Sequence, residues 1–220
     1  MKLSNGAMGL KQRVIRAVVG QFVRPRGLPG RLVGWEMAVR PSNRKRNLWA
    51  VELLEVQSTD RVLEIGFGPG VAIQALAHLT ANGNVYGIDH SEVMVRQAIA
   101  RNRRAVDEGR VSLVLGTPED LARFEVLFDK ALIVNNFGMW PSPARGLERL
   151  RNVMSPGGRV AIVTQPRCPG ATVETTWGAD REIAEQLREA GFTQIKTETL
   201  PLRPPVTCVM GHAPMIEARP

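Results

Sequence analysis

Between residues 61 and 211, short apolar runs rich in β-branched side chains alternate with stretches of helical periodicity. That alternation leaves few folds open, because strands separated by helices pack as βα units around a parallel sheet. Seven strands are expected, at 61–65, 84–88, 111–115, 128–134, 158–164, 193–200 and 205–211. Helices are expected at about 70–80, 91–107, 119–125, 143–154 and 180–190, with Ser91 placed to cap one and Gly191 to close another. Only Pro201 to Pro204 separate the last two strands. No helix fits there, so that pair should run antiparallel. The expected fold is an α/β, Rossmann-like, seven-stranded, mostly parallel sheet with helices on both faces. A chain of 220 residues suits one such domain with a short appendage.

The positive charge is concentrated in the appendage. Residues 1–46 carry eleven Lys or Arg against the single acid Glu36, a net +10, whereas residues 47–220 carry 18 basic and 20 acidic side chains, a net −2. Within the appendage, Leu10, Val14, Ile15, Val18, Val19, Phe22 and Val23 recur at helical spacing, with Lys11, Arg13, Arg16 and Arg24 off the stripe. Pro25, Gly27, Pro29 and Gly30 should break this helix and act as a hinge, and a second helix is expected from about 43 to 56. Residues 1–46 thus form a basic amphipathic lid or appendage, and residues 47–220 the main domain.

No run of eighteen apolar residues is present, and the first residues lack the apolar core and cleavage site of a secretory signal, so a cytoplasmic location is expected. Cys168 and Cys208 stand forty residues apart without ligand spacing. Two reduced thiols and no metal site are expected.

The segment Val62-Leu63-Glu64-Ile65-Gly66-Phe67-Gly68-Pro69-Gly70 is a buried strand running into a glycine-rich turn that opens a helix. Glycine there lets backbone pass close beneath a ligand. A dinucleotide fingerprint needs its third glycine at position 71, which is Val71, and a P-loop needs a Lys that is absent. Glu64, just before the turn, would repel a pyrophosphate but suits a cationic ligand. At the end of the next strand, Asp89 offers a carboxylate to both hydroxyls of a ribose.

Over residues 44–212 the chain resembles the class I S-adenosylmethionine-dependent methyltransferases. The resemblance rests on VLEIGFGPG, VYGIDHS, LGTPEDL after the third strand, FDKALIVNN at the fourth and LRNVMSPGGRVAIVT entering the fifth. It implies a strand order of 3-2-1-4-5-7-6 with strand seven antiparallel, and S-adenosyl-L-methionine as cofactor. By resemblance, Gly66, Phe67, Gly68 and Gly70 lie beneath the methionine and ribose portions, Glu64 near the amino end, Asp89 on the ribose and His90 beside the adenine. Asn135 would line the methionine end. Where many members carry an acid facing the adenine, this chain reads Gly116-Thr117-Pro118-Glu119, so Thr117 or Glu119 is expected to take that role next to Pro118.

The acceptor is expected to be a small, partly apolar molecule. Phe137, Met139 and Trp140 follow the fourth strand as an aromatic, sulfur-bearing stretch without histidine, although each also suits a core position. Trp140, with Gln165 and Arg167 after the fifth strand, are the candidate acceptor contacts, since ligands bind at the carboxyl edge of open α/β sheets. Of the histidines, His78 reads as helix-end structure, and His212 as a weak candidate base. No catalytic base is assigned. Two alternatives stand beside this reading. One is an RNA methyltransferase using the basic N-terminus, although the [ND]PP[YFW] tetrad of amino-methylating nucleic-acid enzymes is missing. The other is a regulatory protein that binds the cofactor without methylating. A peripheral contact between residues 10–24 and an anionic membrane is a further expectation.

Overall fold

The structure, a computed structural model, describes residues 25–166 and 170–215. The expected helix at 10–23 and the candidate residue Arg167 lie outside the described residues. Two helices come first, α1 (Gly27–Val39) and α2 (Pro41–Leu54). The alternating region follows as β1 (Arg61–Ile65), α3 (Val71–Leu79), β2 (Asn84–Asp89), α4 (Glu92–Arg101), α5 (Arg103–Asp107) and β3 (Val111–Leu115). After a 3₁₀ turn at Pro118–Arg123 come β4 (Phe128–Val134), a second 3₁₀ turn at Phe137–Met139, α6 (Pro143–Asn152) and β5 (Met154–Thr164). The chain closes with α7 (Val173–Glu189), β6 (Thr193–Leu200) and β7 (Val206–His212).

The sheet has seven strands in the order β3-β2-β1-β4-β5-β7-β6. β7 is antiparallel to both of its neighbours and the other pairings are parallel, as the sequence predicts. Period-two alternation gives the central strands two apolar faces. Leu63, Ile65, Ile133 and Ile162 bury on one face with α6 and α7, through Leu147, Leu150 and Leu187. Val62, Leu132, Ala161 and Val163 bury on the other with α2 and α3, through Leu54, Ile73 and Leu76. Each such large side chain taken from water contributes about 1.5–3 kcal/mol.

Several boundaries differ from the expectation. Gly27, Pro29 and Gly30 stand in the first turn of α1 rather than in a hinge loop. Proline costs little where the first helical amides have no intrahelical acceptor, and Gly30 N makes the first bond of the helix, to the Arg26 carbonyl at 3.0 Å. The junction with residues 10–23 lies outside the described residues. Ser91 Oγ donates to the Pro25 carbonyl at 2.8 Å, tying the start of α1 to α4. Gly30, Gly34 and Ala38 form the buried side of α1, and a Cβ on Gly34 would overlap Met94 and Gln97 of α4. The helix expected at 91–107 splits at Asn102, and the one expected at 119–125 is the 3₁₀ turn. α7 begins at Val173, capped by Thr172, rather than near Asp180. β5 begins at Met154, with an irregularity in its pairing to β4 that lets Pro156 and two glycines sit within an extended segment. No helix among the described residues is long and apolar enough to cross a membrane.

Candidate functional site

The carboxyl ends of β1, β2, β4 and β5 open into one cavity of about 1260 Å³, closed on its outer side by α1 and α2. Most of the sequence-predicted residues line it: Glu64, Gly66, Phe67, Gly68, Asp89, His90, Thr117, Pro118, Asn135, Trp140 and Gln165. Gly70 and Glu119 do not. Gly70 sits at φ 77° as the N-cap of α3, and its carbonyl accepts from Asn102 Nδ2 at 3.1 Å. A Cβ there would meet Asn102 and Ala98, so its glycine serves the packing of α3 against α4. Glu119 lies in the first turn of the 3₁₀ segment, where Asp120 is the acid that bonds back, its Oδ2 accepting from Thr117 N at 2.9 Å and Thr117 Oγ1 at 3.0 Å.

The glycine turn is held from three sides. Gly66 and Gly68 adopt φ 72° and 53°, in the left-handed region that penalises side chains. Gly66 N donates to the Ile88 carbonyl at 2.7 Å, and Gly68 N to Asp89 Oδ2 at 2.8 Å. From the far side, Asn136 Nδ2 donates to the Ile65 carbonyl at 2.8 Å while its Oδ1 accepts from the Trp140 indole at 2.9 Å. Trp140 is therefore wedged beneath the turn, its ring 5.0 Å from that of Phe137, and only 8% exposed. It lines the cavity as part of the core more than as a free contact.

Two carboxyls are sunk into the floor. Glu64 is 1% exposed, and its Oε2 has no hydrogen-bond partner among the described residues. Burial, reinforced by the charge of Asp89, holds its carboxyl well above the usual range against the opposing Ile73 amide. Asp89 is also pushed up by burial, and the amides of Ser91 and Gly68 and the His90 imidazole partly offset this. Such a pair favours a cation nearby.

On the side away from β2, buried polar groups face the same cavity. Arg46 Nη1 donates to Gln165 Oε1 at 2.8 Å and Nη2 to Asn43 Oδ1 at 3.0 Å, and Gln165 Nε2 donates to the Pro204 carbonyl at 2.8 Å. Asn135, at φ 59°, accepts from Gln165 N at 2.6 Å through Oδ1. Its side chain thus fixes the start of the post-β5 loop. Met37, Met139 and Pro141 supply the apolar lip. Sequence reasoning missed Asn136, Arg46 and Asn43. The doubled asparagine after β4 is the signal for the first, whereas Arg46 reads in the sequence only as one more charge.

Of the other candidates, His212 pairs in register with Arg159 at the opposite edge of the sheet, where Arg159 Nε donates to its Nε2 at 3.3 Å. It does not line the cavity. Cys208 is buried within β7, which pushes its thiol up to about 12, so it is no nucleophile at neutral pH. Among the described residues no group of His, Cys, Asp or Glu could hold a metal ion.

Comparison with known proteins agrees with this geometry. Residues 62–158 match the model of a methyltransferase domain. The chain is 30% identical over 184 residues to the uncharacterised methyltransferase YdaC of Bacillus subtilis, covering 83% of this chain and 98% of that one. It is 29% identical over 119 residues to the ubiquinone/menaquinone biosynthesis C-methyltransferase UbiE of Geotalea daltonii, covering 52% of this chain and 49% of that one. Among solved structures, an S-adenosylmethionine-dependent methyltransferase from Aquifex aeolicus superposes with a TM-score of 0.67 at 19% identity, covering 83% of this chain and 98% of its own.

Proposed function

The chain belongs to the class I S-adenosylmethionine-dependent methyltransferases, and on that premise we propose that it methylates a small, partly apolar acceptor by in-line displacement. The observation that carries this reading is the composition of the cavity. Beside the glycine turn, one continuous space continues past Met37, Met139, Trp140 and Pro141 toward Gln165. At about 1260 Å³ it exceeds the roughly 300–1,000 Å³ typical of a pocket for one ligand.

The residues of the floor suit the cofactor. The buried Glu64 carboxyl, with one oxygen lacking a hydrogen-bond partner among the described residues, complements an α-ammonium group, and Asp89 at the end of β2 complements ribose hydroxyls. Gly68, beside which a Cβ would find only Met37 at 3.9 Å, leaves its backbone open to close approach. When bound, S-adenosylmethionine supplies a methyl carbon on a sulfonium, a donor already activated for displacement. The protein then contributes positioning and exclusion of water rather than strong base catalysis. Met37, Met139 and Pro141 keep the acceptor's reacting end in apolar surroundings, while the Arg46–Gln165–Asn43 network gives the facing wall a fixed polar patch. Carboxyls of Glu36, Glu64 and Asp89 line the cavity beside Arg40, Arg46 and Arg203, and Glu36 is paired with Arg40. A lining that interleaves carboxyls with arginines is unlike the run of cations by which a nucleic-acid enzyme holds phosphates.

The test is to incubate the purified protein with methyl-labelled S-adenosylmethionine and, separately, pools of quinones and phenols, a lipid extract, and total RNA. Label in an organic-extractable small molecule is expected. Label confined to RNA would overturn the assignment of the acceptor, and cofactor binding without any product would favour a regulatory protein.

A further inference from the structure

α1 does two things at once. Its inner side packs on α4 through Gly30, Gly34 and Ala38, and Glu36, Met37 and Arg40 face the cavity. On the remaining side stand Leu28, Leu32, Trp35 and Val39, at 72%, 70%, 62% and 52% exposure. Their spacing of four, three and four residues gathers them within about 60° of the helix circumference at roughly 100° per residue. Four large apolar side chains in one line, each more than half in water, form a patch rather than scattered surface residues.

The charge around this line indicates what it meets. Arg26, Arg31, Arg44 and Lys45 are exposed on and beside α1 and in α2, and the one acid of the region, Glu36, is paired with Arg40. The preceding 24 residues add five more basic side chains and no acid, interleaved with the apolar stripe of residues 10–23. A continuous apolar line bearing a tryptophan, flanked by arginine and lysine and lacking free carboxylates, has the composition of a helix that lies in the headgroup region of an anionic bilayer. A protein partner recognised through so basic a face would need an acidic rim of its own, whereas the bilayer supplies apolar depth and negative charge together.

We propose that the Leu28–Leu32–Trp35–Val39 face of α1 docks on anionic lipid surfaces. Because α1 also lines the cavity through Met37, docking sets the cavity mouth at the bilayer, where a partly apolar acceptor dissolves. The docking itself does not depend on the acceptor assignment, so the two fail separately.

The experiment uses the full chain and vesicles of phosphatidylcholine with or without about one-third phosphatidylglycerol. The wild type is expected to float with anionic vesicles and to be released by high salt, as a largely electrostatic recruitment requires. Leu32→Gln/Trp35→Gln should lower the partition coefficient at least tenfold while S-adenosylmethionine affinity stays within twofold, which shows that the variant is folded. Brominated lipid should quench Trp35 in a variant whose other three tryptophans are phenylalanine. Failure of the wild type to bind anionic vesicles overturns the proposal. So does unchanged binding of the double variant, which would assign docking to residues 10–23, and so does a wild-type dimer that the double variant converts to monomer, which would assign the stripe to self-association.

Discussion

The carboxylate of Asp89 accepts a hydrogen bond from the backbone amide of Gly68, 2.8 Å away, so the acid ending β2 and the glycine turn after β1 form one unit. Its other oxygen accepts from Ser91 N at 2.9 Å. Asp89 therefore shapes the turn before any ligand arrives. Asp89→Ala should weaken S-adenosylmethionine binding by about 1.5–3 kcal/mol, the scale of a hydrogen bond to a charged group. Asp89→Asn, which can still accept from Gly68, should lose less. Calorimetric titration of the three proteins checks the order, and equal affinity for all three would remove Asp89 from the site.

Glu64 gives the cofactor affinity a pH dependence whose sign follows from its burial. Its carboxyl is held well above the usual range, so in the unliganded protein the proton persists to higher pH than in the unfolded chain. Stability is fully present below the unfolded value and declines as pH rises through the folded one. A cation docking beside Glu64 favours the ionised form and expels the proton. Affinity for S-adenosylmethionine should accordingly rise with pH through the folded value and then level off, with proton release measurable in buffers of different ionisation enthalpy. Glu64→Gln should bind more weakly, lose most of this dependence and unfold at a higher temperature at pH 7. A wild-type affinity that falls with rising pH over that range would contradict the assignment.

How much of this was legible beforehand depends on the range of the interaction concerned. The seven strands and the antiparallel last pair followed from apolar runs and segment lengths, because burial on both faces writes itself into each strand's own composition, as in Val85 and Ile88 of β2 or Ile162 of β5, whereas the strand order came from the family resemblance. The glycine turn was readable for the same local reason. Asn136 was not, since its partner at Ile65, 71 residues earlier, meets it only after β1 and β4 have paired. Arg46 read as one more surface cation, yet α2 carries it to Gln165, 119 residues onward, where it is 4% exposed. The segment from Pro25 to Gly30 misled in the opposite direction. Proline and glycine are local signals for a break, and the tertiary contact between Ser91 and Pro25 fixes them as a helix start.

Asn136 should matter to stability as well as to the site. Removing its side chain as alanine leaves the Trp140 indole N–H without its acceptor in a setting 8% exposed, and leaves the Ile65 carbonyl without that donor. A loss of about 1–3 kcal/mol is expected from the stranded groups, seen as a lower urea midpoint. Pairing the change with Trp140→Phe deletes one stranded donor. The double variant should then fall short of the sum of the two single losses by at least about 0.5 kcal/mol. Strict additivity would show that the two side chains do not act together beneath the turn.

The proposed lid is tested by removing residues 1–24, and the structure sets where that cut belongs. A truncation reaching residue 30 would delete the first turn of α1 and the Pro25 carbonyl that Ser91 bonds, confounding a lid with a damaged wall of the cavity. Cutting after Arg24 leaves α1 and its cavity residues Met37 and Arg40 intact. If residues 10–23 close over the acceptor, their apolar stripe excludes water during transfer, while the floor formed by Glu64, Gly68 and Asp89 is unaffected. S-adenosylmethionine affinity should stay within a few-fold of the full chain, and turnover should fall by about tenfold or more. The measurement belongs in neutral detergent micelles carrying the acceptor, where recruitment to anionic lipid contributes nothing. Full turnover under those conditions would rule out the lid. A loss of cofactor affinity matching the loss of turnover would instead make residues 1–24 part of the cofactor site.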